Sequence, residues 1–249
     1  MPLLSIVICT YNRPLLLMRA LNSVIKQTFK DCQIIVIDDA STDNTKEVVK
    51  EYIDLNMGVE YYRNDHNLGV TKSRNRGCSI AKGKYIAMLD SDDWWSDNDK
   101  LAKQVAILEA NPQIGVLGTG INMCDDLDNV MKKRIFNSSD EDIRKEILFN
   151  NQFCQSSVMF RKDAYIAAGG YDESLVVLED FDLWLRIGLR YKLANIPEIL
   201  TSYFINPEGI CKLQKKRLVK TNKMLIERYK LNYPGYMKAK FRAFFRRFV

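Results

Sequence analysis

The sequence predicts an α/β fold, with a mixed, mainly parallel β-sheet flanked by helices and a basic helical tail at the end of the chain. Short apolar runs rich in β-branched residues alternate with helix-period segments through the first half, a pattern typical of parallel sheets. The composition is 47% hydrophobic and 27% charged over 249 residues, which is ordinary for a globular protein. The apolar runs are far shorter than the about 20 residues that span a bilayer.

The first half of the chain reads as repeated strand-helix units. Proline suits the first turn of a helix, so the first helix is expected to open around Pro14. The later helices are expected over 43–55 and 70–81. The strands are expected near 4–9, 33–37, 59–62 and 85–89.

The second half is less regular. Strands are expected at 114–118, 157–161 and 199–204, and helices near 140–148, 162–168 and 179–190. We expect one domain over 1–210, with a nucleotide-binding half at 1–93 and an acceptor-side half at 94–210. Residues 211–249 carry 13 basic residues against one acid, which marks them as a separate basic amphipathic tail.

Acidic residues follow two of the predicted strands. The cluster Asp90-Ser91-Asp92-Asp93 ends one strand and Asp38-Asp39 ends another. Ligands of open α/β sheets bind beyond the carboxyl ends of the strands, and Mg²⁺ or Mn²⁺ bound to phosphate takes one or two carboxylates. An isolated cluster of this kind is more often a helix-capping turn. Two acidic strand ends in one sheet favour the metal and phosphate interpretation.

Several short motifs occur in a characteristic order. They are Ser5-Ile6-Val7-Ile8-Cys9-Thr10-Tyr11-Asn12, Ile37-Asp38-Asp39-Ala40-Ser41-Thr42-Asp43, Asn67-Leu68-Gly69, Arg74-Asn75-Arg76-Gly77 and Leu89-Asp90-Ser91-Asp92-Asp93. Over roughly residues 3–205 the chain thereby resembles the family 2 glycosyltransferases. That resemblance implies the Rossmann-like type A glycosyltransferase fold and transfer of a sugar from a nucleotide-diphosphate donor.

The resemblance implies donor-binding roles for Thr10, Tyr11, Asp39, Arg74, Asp90 and Asp92. Thr10 and Tyr11 would flank the base and Arg74 would assist with the nucleotide. Asp90 would lie near the ribose or the metal, and Asp92 would bind the metal, Mn²⁺ or Mg²⁺. Asp39 would accept a hydrogen bond from the base. A carboxylate that only accepts suits the imide N–H of uracil, which favours UDP.

A second acidic cluster starts a predicted helix with Glu179 and Asp180. The resemblance implies that Asp180 is the base that deprotonates the acceptor, with Glu179 as an acceptor-side contact. The alternative is an acidic first helical turn favoured by the helix dipole, which is a strong alternative for Glu179. Trp95 is a further acceptor-side candidate, although at least one ring of the Trp94-Trp95 pair is expected to anchor the loop in the core.

The last 13 residues have helical amphipathic spacing. Phe241, Phe244, Phe245 and Phe248 follow i, i+3, i+4, i+7 positions, and Lys238, Arg242 and Arg246 lie opposite them. Such a helix suits an anionic membrane surface, so we expect peripheral contact through 237–249. The alternative is packing on the body or on a second subunit. A nucleic-acid partner is not expected, because no reader motif is present.

The predicted function is inverting, metal-dependent transfer of a single sugar from a UDP-sugar donor to a glycan or lipid-linked saccharide acceptor, in bacterial surface polysaccharide synthesis. Since no secretory signal precedes the first strand, the expected location is the cytoplasm, at the inner face of the membrane. Two alternatives stay open: a Mg²⁺-dependent phosphate-ester hydrolase and a catalytically inactive nucleotide-sugar-binding module. The motifs of nucleoside-triphosphate, dinucleotide and nucleophile-elbow sites are absent from the sequence.

Overall fold

A computed structural model describes residues 1–206 and 213–245 of the chain. In that part the strands form one nine-stranded mixed sheet of order β3-β2-β1-β4-β8-β6-β9-β5, with β7 paired to β6. The strands are β1 Leu4–Thr10, β2 Cys32–Asp38, β3 Val59–Arg63, β4 Tyr85–Asp90, β5 Trp94–Trp95, β6 Ile114–Cys124, β7 Val130–Arg134, β8 Met159–Arg161 and β9 Lys192–Phe204.

The four strands of the first half are parallel, as the sequence predicts. β1 is central and pairs with β2 on one side and β4 on the other, and β3 adds to β2. The second half makes the sheet mixed, because β8 runs antiparallel to both β4 and β6, whereas β6 and β9 are parallel. The α/β fold with a mainly parallel, helix-flanked sheet is confirmed.

Helices cover both faces of this sheet. They are α1 Pro14–Ile25, α2 Thr45–Asp54, α3 Val70–Ile80, α4 Lys100–Ala110, α5 Asp140–Glu146, α6 Lys162–Ala167, α7 Glu179–Gly188, α8 Lys215–Arg228 and α9 Tyr236–Phe245. Successive strand residues alternate between the faces. Ile6 and Ile8 of β1 therefore belong to one core cluster, while Val7 and Cys9 belong to the other.

The structure adds elements that the sequence interpretation did not include. Helix α4 has apolar Leu101, Val105 and Leu108 at helical spacing, all buried, so the pattern was present in the sequence. Strand β5 has only two residues and β7 is almost wholly exposed, so neither carries a run of buried apolar residues. β9 begins at Lys192, well before the expected start at 199.

The described part of the basic tail is helical and packs against the body. Leu225 of α8, Tyr229 directly after it and Ala239 of α9 are buried in the same core cluster as Trp184. In α9 the small residues face this core, and Phe241 and Phe244 are exposed at 67% and 51%. Residues 246–249, with Arg246 and Phe248 of the predicted amphipathic pattern, lie outside the described residues.

Two basic residues of α9 contact the body, while the side chain of Lys238 stays 53% exposed. Lys238 pairs with Glu146 at 2.7 Å, and Arg242 Nη1 donates to the carbonyl oxygen of Phe149 at 2.6 Å. Within the described ranges, no helix has both the length and the apolar character needed to cross a membrane.

Candidate active site at the carboxyl edge of the sheet

Three adjacent strands end at one edge of the sheet and bring the predicted motifs together. In the register of the sheet, Cys9 of β1 lies beside Asp90 of β4, and Thr10 lies beside Asp38 of β2. Because the strands are parallel, the segments that follow them emerge on the same side. The convergence expected from the sequence is therefore present in the structure.

Asp39 is a fixed, buried hydrogen-bond acceptor. Its Oδ1 accepts from the Nδ2 of Asn64 at 2.6 Å and from the backbone N–H of Leu68 at 2.8 Å, and its Oδ2 accepts from the N–H of Gly69 at 2.8 Å. A carboxylate has roughly four lone-pair sites, so about one remains on Oδ2 for a ligand. The next residue, Ala40, has φ +67°, a strained conformation of the kind that clusters at functional sites.

Asp38, by contrast, is structural. It is fully buried, and its Oδ1 accepts from the backbone N–H of Ser41 at 2.8 Å. Its Oδ2 accepts from the hydroxyl of Tyr61 at 2.5 Å. Both oxygens thus shape the turn that follows β2 and present Asp39.

The segment after β1 forms a second wall. Tyr11 is 43% exposed, whereas Thr10 is buried, and its Oγ1 has no hydrogen-bond partner within the described part of the chain. Asn12 has φ +51° and its Oδ1 accepts from the backbone N–H of Thr42 at 2.8 Å, which ties this segment to the turn after β2. Asn12 therefore has a structural role between the two turns, and it does not cap α1, whose N-cap residue is Arg13.

The acidic segment after β4 distributes its three carboxylates among separate partners. Asp90 Oδ1 lies 2.6 Å from Nη2 of Arg74, and Asp92 Oδ2 lies 2.6 Å from Nη1 of Arg13. Burial raises the pKa of Asp92, an effect that Arg13 opposes and Asp90 reinforces. Two arginines therefore offset the like-charge repulsion between these carboxylates.

Asp93 anchors the acidic segment from inside. It is 1% exposed, accepts from the hydroxyl of Ser156, and accepts from the backbone N–H of Phe204 at 2.8 Å. Burial, with Asp92 and Asp90 nearby, raises its pKa well above the usual range. Ser156 also accepts from the backbone N–H of Asp90 at 3.0 Å. Ser156 is thus a buried support of the acidic segment.

Arg74 joins the acidic segment to helix α7. It is 5% exposed, and its two terminal nitrogens contact Asp90 and Glu179 respectively. Burial raises the pKa of Glu179 to about 7, although Arg74 acts in the opposite direction. The resemblance implies that Arg74 contacts the nucleotide, and the structure places it between two carboxylates from distant parts of the chain.

Asp180 follows Glu179 at the start of α7. It is half-buried, and its Oδ1 accepts from the backbone N–H of Phe181 at 2.7 Å. Burial raises its pKa and Arg74 opposes that shift. Leu178, immediately before the pair, has φ +63°, a strained conformation for a leucine. A carboxyl with a raised pKa at a strained helix start is a suitable general base.

Trp95, the acceptor-side candidate of the sequence, is buried in the structure. Its ring is 3% exposed, and its Nε1 donates to the carbonyl oxygen of Ser156 at 2.9 Å. A core site satisfies both the apolar ring and the indole N–H, which is the physical reason for this placement. Trp94 is half-buried, and the guanidinium of Arg19 lies 3.9 Å from its ring centroid.

The carboxylates fit a divalent cation that is bound together with its substrate. Among the residues that the structure describes, no three His, Cys, Asp or Glu side chains gather where they could hold a metal by themselves. Mg²⁺ characteristically uses one or two carboxylates, substrate phosphates and waters. Asp90 and Asp92 supply such hard oxygen ligands, and the side chain of Asp90 is 28% exposed.

Arg13 and Arg19 are site residues that sequence reasoning missed. Arg13 contacts the carboxylate of Asp92, and Nη2 of Arg19 donates to the backbone oxygen of Asp92 at 2.7 Å. Arg13 directly precedes α1 and Arg19 lies within it, so both follow closely on the motif that ends at Asn12. Their proximity to Asp92 depends on the pairing of β1 with β4, which no local pattern reveals.

Known proteins resemble this chain in sequence. Residues 5–167 match the family model described as glycosyl transferase family 2. An uncharacterized glycosyltransferase of Methanocaldococcus jannaschii is 33% identical over 224 residues, covering 87% of this chain and 76% of the relative. A UDP-Glc:alpha-D-GlcNAc-diphosphoundecaprenol beta-1,3-glucosyltransferase of Escherichia coli is 28% identical, covering 90% of this chain and 86% of the relative.

Solved structures share the fold at lower identity. TarS of S. aureus, residues 1–349 in complex with UDP-GlcNAc, has a TM-score of 0.74 at 19% identity, covering 98% of this chain and 72% of that one. A mannosyltransferase of Pyrobaculum calidifontis, in complex with GDP-Man and Mn²⁺, has a TM-score of 0.73 at 17% identity, covering 97% of this chain and 68% of that one.

Proposed function

This chain belongs to glycosyl transferase family 2, and from that premise we propose that it transfers a single sugar from a UDP-sugar to an acceptor hydroxyl, with inversion at the anomeric carbon. One observation carries this proposal. Arg74 links Asp90, on the donor side, to Glu179, which directly precedes Asp180. The proposed diphosphate side and the proposed base are thereby held in a single buried network.

The donor proposal depends on Asp39. Its carboxylate has about one acceptor site left, which suits the single imide N–H of uracil better than the adjacent N–H donors of guanine. Thr10 and Tyr11 are the proposed neighbours of the base. Complexes of TarS with UDP and with UDP-GlcNAc are consistent with a uridine donor. The mannosyltransferase complex with GDP-Man makes the choice of base a point for experiment.

The proposed chemistry is one displacement. The acceptor oxygen bonds to the anomeric carbon, its proton passes to Asp180, and the bond to the diphosphate breaks with its electrons leaving on UDP. Asp90 and Asp92 are the proposed ligands of Mn²⁺ or Mg²⁺, which when bound there would offset negative charge on the diphosphate leaving group. Glu179 and Arg74 position Asp180 by fixing the start of α7.

The proposed acceptor is a glycan or lipid-linked saccharide of a bacterial surface polysaccharide. Relatives named for amylovoran biosynthesis and for a diphosphoundecaprenol acceptor motivate this proposal. Trp94 replaces the buried Trp95 as the proposed aromatic acceptor contact, and residues 94–210 are the proposed acceptor-side half beside the nucleotide-binding half at 1–93. The tail from 211 is proposed to hold the enzyme at the inner face of the membrane, with Phe241 and Phe244 exposed for anionic lipid.

The test measures UDP release from a panel of UDP-sugars with Mn²⁺ or Mg²⁺ present, over a range of saccharide acceptors. Matched GDP-sugars serve as controls, and NMR of the product assigns the anomeric configuration. We expect UDP release that depends on metal and acceptor, with an inverted product. A retained configuration overturns the displacement through Asp180. Nucleotide binding without any turnover indicates an inactive binding module, and release of phosphate from simple esters indicates a hydrolase.

A further inference from the structure

Arg13 occupies the position of a counter-ion to the carboxylate of Asp92. It directly precedes helix α1, and Nη1 lies 2.6 Å from Oδ2 of Asp92, a residue on the segment that follows β4. The Arg13 side chain is 32% exposed, and that of Asp92 is 16% exposed. An arginine with a third of its side chain in solvent can rotate away from its partner without unpacking the core.

The two neighbouring arginines are held differently. Arg74 is 6% exposed in its side chain and contacts both Asp90 and Glu179. Arg19 donates to the backbone oxygen of Asp92, also contacts Asp128, and stacks on the ring of Trp94. Each of them is held by several contacts from different elements. Arg13, by contrast, contacts the proposed metal ligand Asp92, and about a third of its side chain faces solvent.

We propose that Arg13 is a diphosphate-binding residue that neutralises Asp92 until a divalent cation binds, and then donates hydrogen bonds to the phosphates of the donor. This inference rests on the proposed function, because it takes the donor to be a nucleoside diphosphate sugar and the cation to bind at Asp92. It adds a residue to the donor site that the sequence motifs did not assign.

Charge explains why Arg13 should exchange partners. A guanidinium and a divalent cation at one carboxylate repel each other, so Arg13 competes with the cation as long as no phosphate is present. A diphosphate brings new anionic oxygens to the same place, and the planar fork of arginine suits phosphate oxygens in a bidentate contact. Loss of Arg13 therefore has opposite effects on the two ligands. Cation affinity alone rises, and affinity for the nucleotide with its cation falls.

The test uses Arg13→Met in the full chain, with Mn²⁺ and UDP as probes. Binding of Mn²⁺ alone is measured by electron paramagnetic resonance, and binding of UDP at saturating Mn²⁺ is measured by calorimetry. We expect affinity for Mn²⁺ alone to rise about threefold or more once the competing charge is gone. Affinity for UDP should fall about tenfold or more, as for the loss of a hydrogen bond to a charged group. Uridine, which has no phosphate, should bind both proteins equally.

Two further variants serve as controls. Arg190→Met removes one positive charge near the distant end of α7, where Arg190 donates to a backbone oxygen, and should leave both affinities unchanged. Arg13→Lys keeps the charge but loses the fork, so we expect Mn²⁺ affinity near that of the wild type and a smaller loss for UDP. Thermal unfolding of each variant verifies that the fold is retained.

The outcomes separate this inference from the function on which it rests. Unchanged affinities in Arg13→Met, or a parallel fall in affinity for Mn²⁺ and for UDP, overturn the role of Arg13; the parallel fall would mean that the residue merely shapes the segment. If the wild-type protein itself does not bind UDP with Mn²⁺, the proposed function is overturned instead.

Discussion

Arg74 on helix α3 and Glu179 on helix α7 form a buried ion pair although 105 positions separate them in the chain. The same guanidinium contacts Asp90, so one cation serves carboxylates from both halves of the molecule. A buried charge without its partner costs far more than the net value of the pair. The site is therefore sensitive to changes at Arg74 through stability as well as through ligand contacts.

Replacing Arg74 by Met should lower the free energy of unfolding by about 3 kcal/mol, because it leaves Glu179 without its buried partner. Urea denaturation measures this change. The double variant with Glu179→Gln should recover part of the loss, since it removes the stranded charge as well. Equal losses in the single and double variants would contradict the pairing.

The stability of the protein should depend on the pH through Glu179. Burial raises the pKa of Glu179 from 4.5 to about 7, so between these values the folded protein holds this proton more tightly than the unfolded chain does. Stability from this group is thus complete below about pH 4.5 and is lost as the pH rises through about 7.

The measurement is the difference in unfolding free energy between the wild type and Glu179→Gln across this range. The unfolding free energy of the wild type minus that of Glu179→Gln should fall by about 1.4 kcal/mol for each pH unit, because the wild type loses stability as the pH rises. A difference that stays flat with pH would show that Glu179 titrates alike in both states.

Asp180→Asn should reduce turnover about 100-fold or more, since a general base contributes at least that factor. The affinity for UDP should be nearly unchanged, because an Asn fills the same space and the proposed role lies in proton transfer alone. Steady-state turnover and calorimetry give the two readouts. Near-normal turnover would refute the assignment of Asp180 as the base.

Tyr229, directly after helix α8, should hold that helix to the domain and stabilise the fold. Its hydroxyl donates to Oδ1 of the fully buried Asp182 at 2.9 Å. Tyr229→Phe should cost about 1.5 to 3 kcal/mol of unfolding free energy, as for a hydrogen bond to a charged group. The matched control Tyr236→Phe removes an exposed hydroxyl that contacts Glu227 and should cost well under 1 kcal/mol. Equal unfolding free energies in Tyr229→Phe and Tyr236→Phe would argue against tight packing of α8 on the rest of the domain.

Membrane contact is best tested with the two exposed rings of α9. Deletion of 237–249 also removes the buried Ala239 and Ala243, so it disturbs the core. Phe241→Ser with Phe244→Ser leaves those residues in place, and we expect it to abolish sedimentation with anionic liposomes while UDP affinity is retained. Unchanged sedimentation, compared with Leu231→Ser at another exposed position, would exclude these rings as the contact.

Local patterns in the sequence were sufficient for the order of strands and helices in the first half and for the strand-end motifs. Parallel strands bring their carboxyl ends to one edge, so the convergence of Thr10, Asp39 and Asp90 followed from the repeating order alone. The helix that carries Glu179 and Asp180 was also predictable, because its apolar residues recur at helical spacing.

Tertiary structure decided how the charged residues at that edge are paired. Arg13 and Asp92 are 79 positions apart, and sequence spacing carries no information about such a distance. The same limit explains why Trp95 proved buried and why α9 packs Ala239 and Ala243 against the body. The chain by itself determined which carboxylates meet at the site, and packing determined which arginines neutralise them.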